Sequence, residues 1–254
     1  MKKHLGLFFF FLLSLCTAKA QNWGGGVDDS NIHFGFTFQY LSSDFKVFKK
    51  PDWQAPFYET DKTDPNHITT TQITSGLKSI MAKSSPGFGI GFVVNSRISD
   101  HVDVRLTPSL VFNDRLLQYT YQTPVPQFAY EFKEQKVQAT MVDIPLGIKL
   151  KSDRRNNFRA YLIGNIKYSM DISSAKKTND EANAAIEKLL KNQKSFWSYE
   201  TGIGFDLYFE YFKMSPEIKY SSSFNSILKQ DHNAYSSPLD KLMLRHVTFS
   251  LYFE

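Results

Sequence analysis

The chain has 254 residues, 42% hydrophobic and 15% aromatic, with a formal net charge of +5. Its single cysteine, Cys16, falls in a segment that reads as a removable leader, so the remainder is expected to hold no disulfide, thiol nucleophile or thiolate metal site. Lys2, Lys3 and Lys19 leave with that leader, which leaves 27 basic against 25 acidic residues and no support for a nucleic-acid partner.

Residues 1–20 have the organisation of an export signal. Lys2 and Lys3 give a basic start, Leu5 to Leu15 an apolar stretch, and Ala18-Lys19-Ala20 a small-x-small cleavage site. The apolar stretch is shorter than the roughly 17–25 residues of a membrane-crossing helix. Leu13-Ser14-Leu15-Cys16 invites a lipoprotein reading, against which stands the bulky Leu15 just before the cysteine. Cleavage after Ala20 leaves residues 21–31, with Gly24-Gly25-Gly26, as a flexible periplasmic lead-in, and residues 32–254 as one barrel domain.

The first strand alternates Ile32, Phe34, Phe36, Phe38 and Tyr40 with His33, Gly35, Thr37 and Gln39. Such alternation sets one row against an apolar phase and the other against a polar interior. Phe88, Ile90, Phe92 and Val94 repeat it, as do Val102, Val104, Leu106, Leu110 and Phe112. Val142, Ile144, Leu146, Ile148 and Leu150 follow, then segments 160–170, 201–209 and 214–220, and finally Val247, Phe249, Leu251 and Phe253. Each is close to the 9–11 tilted residues that cross a membrane.

Connections 42–85, 113–136, 171–195 and 222–244 are long, whereas 95–101, 151–157 and 210–213 are short. Inside the third long one, Asn179 to Gln193 reads as a helix with Ala185, Ile186, Leu189 and Leu190 on one face. The alternation of long and short predicts an all-β fold: an eight-stranded antiparallel transmembrane β-barrel in the cell outer membrane. Its long loops would be extracellular, and its short turns and both termini periplasmic. A soluble β-sandwich or lipocalin-like barrel is the competing reading. It would solvate a strongly charged second row, whereas here that row is rich in Gly, Ser, Thr and charges of both signs.

The inward row carries Asp103, Arg105, Asp143, Lys149, Arg159, Lys167, Glu200, Asp206, Glu217 and Lys219. Five acids and five bases in one narrow lumen predict a paired, structural network, because an unpaired buried charge costs several kcal/mol. An acid/base site or proton path is the functional alternative. Gly87, Gly89 and Gly91 continue a strand rather than open a phosphate-cradling turn, and make room for larger neighbours. His33 and His246 face inward near opposite membrane faces, and His67, His101 and His232 lack ligand spacing, so no metal or cofactor is expected. Pro108, Pro145 and Pro216 fall within strands and predict bulges or kinks.

Four runs stand out: Arg105-Leu-Thr-Pro-Ser-Leu-Val-Phe-Asn-Asp-Arg115, Asp143-Ile-Pro-Leu-Gly-Ile-Lys-Leu-Lys-Ser-Asp-Arg-Arg155, Asn157-Phe-Arg-Ala-Tyr-Leu-Ile-Gly164 and Phe212-Lys-Met-Ser-Pro-Glu-Ile-Lys-Tyr220. With Ser237-Pro238 and the closing Phe253-Glu254, they resemble the PorT family of Bacteroidota outer-membrane proteins. The resemblance covers most of the chain from Pro86 onward. It implies a non-enzymatic accessory component of type IX protein secretion, and of motility in gliding relatives. The implied partners are other outer-membrane or periplasmic secretion proteins and the lipid bilayer, with no small-molecule substrate. Eight strands leave no room for folded cargo, so contact surfaces should carry the role. The basic turn with Lys151, Arg154 and Arg155 is the candidate docking site. Two other classes share the architecture: an adhesin or envelope-stability barrel, and a lipid hydrolase, for which no convincing nucleophile set is present.

Overall fold

The computed structural model describes residues 30–61, 69–123, 131–173 and 185–254. The expected leader, most of the 21–31 lead-in, His67 and the first half of the predicted helix lie outside them.

In chain order, β1 (Ile32–Lys49) leads to a small hairpin of β2 (Tyr58–Asp61) and β3 (Thr69–Gln72). Next come β4 (Leu77–Lys83), β5 (Ser85–Arg97), β6 (Val102–Leu106), β7 (Ser109–Asn113) and β8 (Arg115–Tyr121). The chain continues through β9 (Phe132–Val137), β10 (Thr140–Lys151), β11 (Phe158–Asp171) and β12 (Ser195–Tyr208), and finishes with β13 (Lys213–Ser223) and β14 (Leu239–Phe253). Every pairing is antiparallel, and β1 pairs with β14 on one side and β5 on the other. Passing from β14 through β13, β12, β11 and β10 to β6 and β7 and back to β5 closes the ring. Since β6 and β7 are two halves of one interrupted stave, the ring has eight, as expected.

The interruption is at Thr107-Pro108. Proline cannot donate to a ladder, and Pro145 of β10 faces the same gap. The break is spanned by Phe92 N–H donating to Pro108 O (3.0 Å) and Thr107 N–H donating to Pro145 O (3.1 Å). Around Pro216 the β12–β13 register also lapses, between Gly204↔Glu217 and Leu207↔Met214. All three strand prolines therefore mark irregularities in the wall.

Alternation sorts the side chains as in a barrel immersed in an apolar phase. Phe34 and Phe92 are each 71% exposed, whereas Arg105 and Lys149 are 2% and 0% exposed. The outward row Phe36, Phe38, Ile90, Leu146, Ile148, Leu162, Ile203, Ile218 and Phe249 completes a belt. Aromatic pairs edge it, with Tyr168 against Trp197 (5.0 Å between centroids) towards the long loops and Phe209 against Phe212 (4.8 Å) at a short turn.

The long connections differ from the sequence reading. They are not plain loops: β1 runs on to Lys49, β14 starts at Leu239, and β4, β8 and β9 form a three-stranded sheet above the ring. Their inward residues build a dome core at the loop end, where Leu41, Leu77, Leu117, Tyr119, Ile227, Tyr235, Leu242 and Leu244 pack together. The Tyr119 hydroxyl donates to Tyr235 O (2.8 Å), and burial pushes its phenol well above the usual range. Alternation is blurred here, because Leu116 and Leu117 are apolar on both faces of β8. The predicted helix is also corrected. Of Asn179 to Gln193, the described part forms one 3₁₀ turn, Ala185–Glu187, and then an extended segment bridged through Asn192 to Leu228. Ile186 and Leu190 are still buried in the dome, so the apolar face is satisfied without a helix.

Leu242 is fully enclosed in the dome core. Leu242→Ala should lower stability by about 2–5 kcal/mol. Limited proteolysis should open the loop end first while the belt strands stay protected, and urea titration in lipid vesicles measures the loss.

Candidate functional site

The lower half of the barrel is filled by charge. Arg105 on β6 donates to Glu217 Oε2 (3.1 Å) and Glu254 Oε1 (3.0 Å), and Lys213 binds the other oxygen of Glu254 (2.6 Å). Tyr161 and Tyr252 donate to the two oxygens of Glu217 (2.8 and 3.1 Å), while the Lys219 ammonium donates to Tyr252 (2.9 Å). Arg105 also lies 4.7 Å from the Tyr252 ring centroid, so the guanidinium is held by carboxylates and aromatic faces together. Lys149 grips both oxygens of Asp206 (2.7 and 2.8 Å), and Ser215 donates to the same carboxylate (2.6 Å).

Higher up, Lys167 bridges Glu200 (2.9 Å) and Asp143 (3.2 Å), and Asn165 donates to Glu200 (3.1 Å). The void beside them, reached by Lys219 and His246, is about 10 Å³, room for roughly one water. At this level the lumen is plugged by its own side chains. Room for the large ones comes from glycine: a Cβ on Gly204 would run into the Tyr161 ring.

Nine of the ten sequence-predicted lumen charges are buried: Asp103, Arg105, Asp143, Lys149, Lys167, Glu200, Asp206, Glu217 and Lys219. Arg159 is half-buried where β11 leaves the short-turn end. His33 and His246 both point inward but sit far apart along β1, facing Asn95 and Ser43 respectively. The sequence reading missed Lys213, Glu254, Tyr161, Tyr252 and Asn95. All but Asn95 share the parity of inward charges already identified on their strands, or of His246, and extending that phase to the strand ends finds them.

The candidate docking turn needs one correction. Lys151 is not displayed: it is the last residue of β10, 8% exposed, and its ammonium meets Asp103 at 2.5 Å, with Asn95 donating to the other Asp103 oxygen (3.0 Å). Its parity with Lys149 turns it into the lumen. Arg154 is half-buried, its guanidinium 3.8 Å from the Tyr208 ring centroid and its Nε donating to Asn156 O (2.7 Å). Asn156 adopts a left-handed φ of 54°, which closes the turn tightly. Of the charged residues in this turn, Arg155 and Asp153 stand out into solvent, and Asp153 is tied to His101 of the neighbouring turn (3.0 Å). In that neighbouring turn the Arg97 guanidinium, hydrogen-bonded to Asp100, holds the aspartate below the usual carboxylate range.

Removing one member of the network strands its partners in a dry interior. Arg105→Ala and Glu200→Ala should each cost roughly 3–5 kcal/mol, read from the urea midpoint of the barrel refolded into vesicles. Full stability with loss of function in either variant would make the lumen a functional site instead.

A family model described as outer membrane protein beta-barrel domain matches residues 20–229. Among solved structures, the chain is similar to the outer membrane protein OprG from Pseudomonas aeruginosa, at 11% identity and a TM-score of 0.43, over 86% of this chain and 93% of that one. It is also similar to Neisserial surface protein A (NspA), at 8% identity and a TM-score of 0.39, over 88% and 98% of the respective chains. No curated protein matches at a significant level. The closed eight-stave ring, the apolar belt and the family match together make this chain an outer-membrane β-barrel belonging to the outer membrane protein beta-barrel domain family.

Proposed function

We propose that this barrel is a non-enzymatic accessory component of type IX protein secretion, and of gliding motility where the cell glides, acting through contacts with other outer-membrane or periplasmic proteins. The observation that carries the non-pore role is the plugged interior, with a salt-bridged lumen below and an apolar dome above. The process itself rests on the resemblance of the Arg105–Arg115, Asp143–Arg155 and Asn157–Gly164 runs to the PorT family. In this chain the second run supplies Asp143, Lys149 and Lys151 to the lumen and Arg154 and Arg155 to a short turn.

The short turns and both chain termini face the periplasm in this reading, and the dome faces outward, because short periplasmic turns and long outer loops are the rule for such barrels. A tag inserted beside Gln230, at the loop end, is then accessible on intact cells. One inserted at Asp153 is accessible only after permeabilisation, and reversed accessibility would invert the topology.

Deleting the gene should trap secreted cargo in the periplasm while the outer membrane remains sealed, scored by fractionation and a periplasmic marker. Normal export in the deletion strain would displace the secretion reading in favour of an adhesin or envelope-stability barrel. Replacing Arg155, the exposed arginine of the turn, with Glu should reduce partner recovery from mild detergent without unfolding the barrel, since exposed turn charges contribute at most about 1 kcal/mol, whereas Arg154 is held against Tyr208. Unchanged recovery would remove this turn as the docking site and leave the process standing.

A further inference from the structure

The staves end at different heights on the loop side, and β11 stops short. At its end Asp171 N–H donates to Lys194 O (2.6 Å), and Ile172 N–H donates to Thr140 O (2.8 Å). Both flanking walls continue beyond that level, one through Ala139 into β9, the other through the extended segment that precedes β12. Between them lies a cavity of about 650 Å³, lined among others by Lys136, Gln138, Leu190, Asn192 and Lys194.

Each side of this slot is a strand edge. On one, Tyr121 N–H donates to Glu131 O (2.8 Å) and Asn113 N–H donates to Ala139 O (3.2 Å), with regular β8–β9 register between. Odd-numbered residues of β9 therefore bond to β8, and antiparallel alternation turns the backbone of Lys136 and Gln138 towards the slot. On the other, Lys229 N–H donates to Lys191 O (3.0 Å) and Gln193 N–H to Ile227 O (2.7 Å), which turns the backbone of Asn192 towards the slot. Among the described residues no hydrogen bond reaches these inward-turned groups of Lys136, Gln138 or Asn192. The Asn192 carboxamide lies out of solvent with neither its oxygen nor its nitrogen hydrogen-bonded. At the upper limit the Gln135 carboxamide spans the gap, donating to Lys188 O (3.4 Å) and accepting from Leu190 N–H (3.3 Å). It takes the place of an N–H and a C=O that an intervening strand would turn towards that wall.

We propose that this slot takes one extended acidic segment of a partner protein, which adds as a strand and completes the missing height of β11. Two facing strand edges call for an occupant with both donors and acceptors at peptide spacing. An acyl chain has neither, and a phosphate headgroup has acceptors only. From the Thr140 level to the Gln135 level is about five residues, roughly 16 Å at strand rise. Charge sets the sign of the occupant: Lys136, Lys191, Lys194 and Lys229 surround the slot, and among the described residues of its lining Asp171 is the one acid. Asp114 holds Lys136 (2.7 Å) and Asp231 holds Lys191 (3.2 Å) and Lys229 (3.3 Å), which leaves Lys194 with no ion pair among the described residues.

The test uses the purified barrel in detergent micelles and an end-blocked octapeptide of alternating valine and glutamate. Amide hydrogen exchange at Lys136, Gln138 and Asn192, read by NMR, should slow at least tenfold when the peptide is added. The effect should vanish when alternate peptide nitrogens are methylated, and should weaken with Lys194→Glu or with a valine–lysine peptide. Three results would overturn the proposal: protection of these amides before any peptide is added, equal binding of the methylated peptide, or protection by phosphatidylglycerol micelles and not by the peptide. The outcome is independent of whether the barrel serves secretion.

Discussion

A backbone that crosses hydrocarbon must satisfy every N–H and C=O within itself, and a sheet can do so only by closing. Closure of β1 onto both β14 and β5 is the condition on which the rest of this molecule depends. Once the ring is closed, side chains have two destinations, lipid or lumen, and the two-residue period decides which. Phe34 and Arg105 need no further instruction than their parity. Ring size then sets the interior, because eight staves leave a lumen just wide enough for side chains. What fills it becomes a packing problem as much as an electrostatic one.

The two halves of the interior solve that problem differently. In the belt region the fill is ionic, with cations against carboxylates and aromatic rings or small residues beside them, as Arg105, Glu217, Tyr161 and Gly204 illustrate. Such pairs offset their desolvation only when geometry is good and the remaining donors are satisfied, which accounts for Tyr161, Tyr252 and Ser215 standing around the carboxylates. Above the belt the walls leave the lipid, polar groups on their outer face return to water, and the inner face becomes an ordinary apolar core around Leu242 and Tyr119. The change of filling along one barrel axis follows from the change of solvent outside.

Legibility in the sequence tracks how strictly a segment alternates. Segments 32–40, 142–150 and 247–253 alternate cleanly, so their faces and most of the lumen charges were readable without coordinates. Lys151 was misplaced because it closes a strand next to a polar turn, and one further step of the same phase places it in the lumen against Asp103. Lys213 and Glu254 were overlooked for the same reason at the ends of neighbouring staves. The dome strands were hidden by a different cause. Arg115-Leu116-Leu117-Gln118 has no clean two-residue rhythm, because its outer face is neither in lipid nor fully in water. The apolar pattern Ala185, Ile186, Leu189, Leu190 fits a helix, but the dome buries Ile186 from a single 3₁₀ turn and Leu190 from the chain that follows it towards the Asn192–Leu228 bridge. Tertiary packing outweighs local period where a segment has another wall to lean on.

Irregularity in this wall is concentrated where regular pairing would be impossible or unwanted. Pro108 and Pro145 share one gap, so two missing donors cost one break in the ring instead of two. Stave height is the second irregularity. A stave that stops at Asp171 while both neighbours continue leaves backbone groups of both turned towards the slot between them. Strand edges elsewhere in the ring are consumed by closure, and the Gln135 carboxamide caps this one from above. The filled lumen shifts attention to the outer surfaces. Among the described surfaces, this short stave is the place where the wall itself is left unfinished.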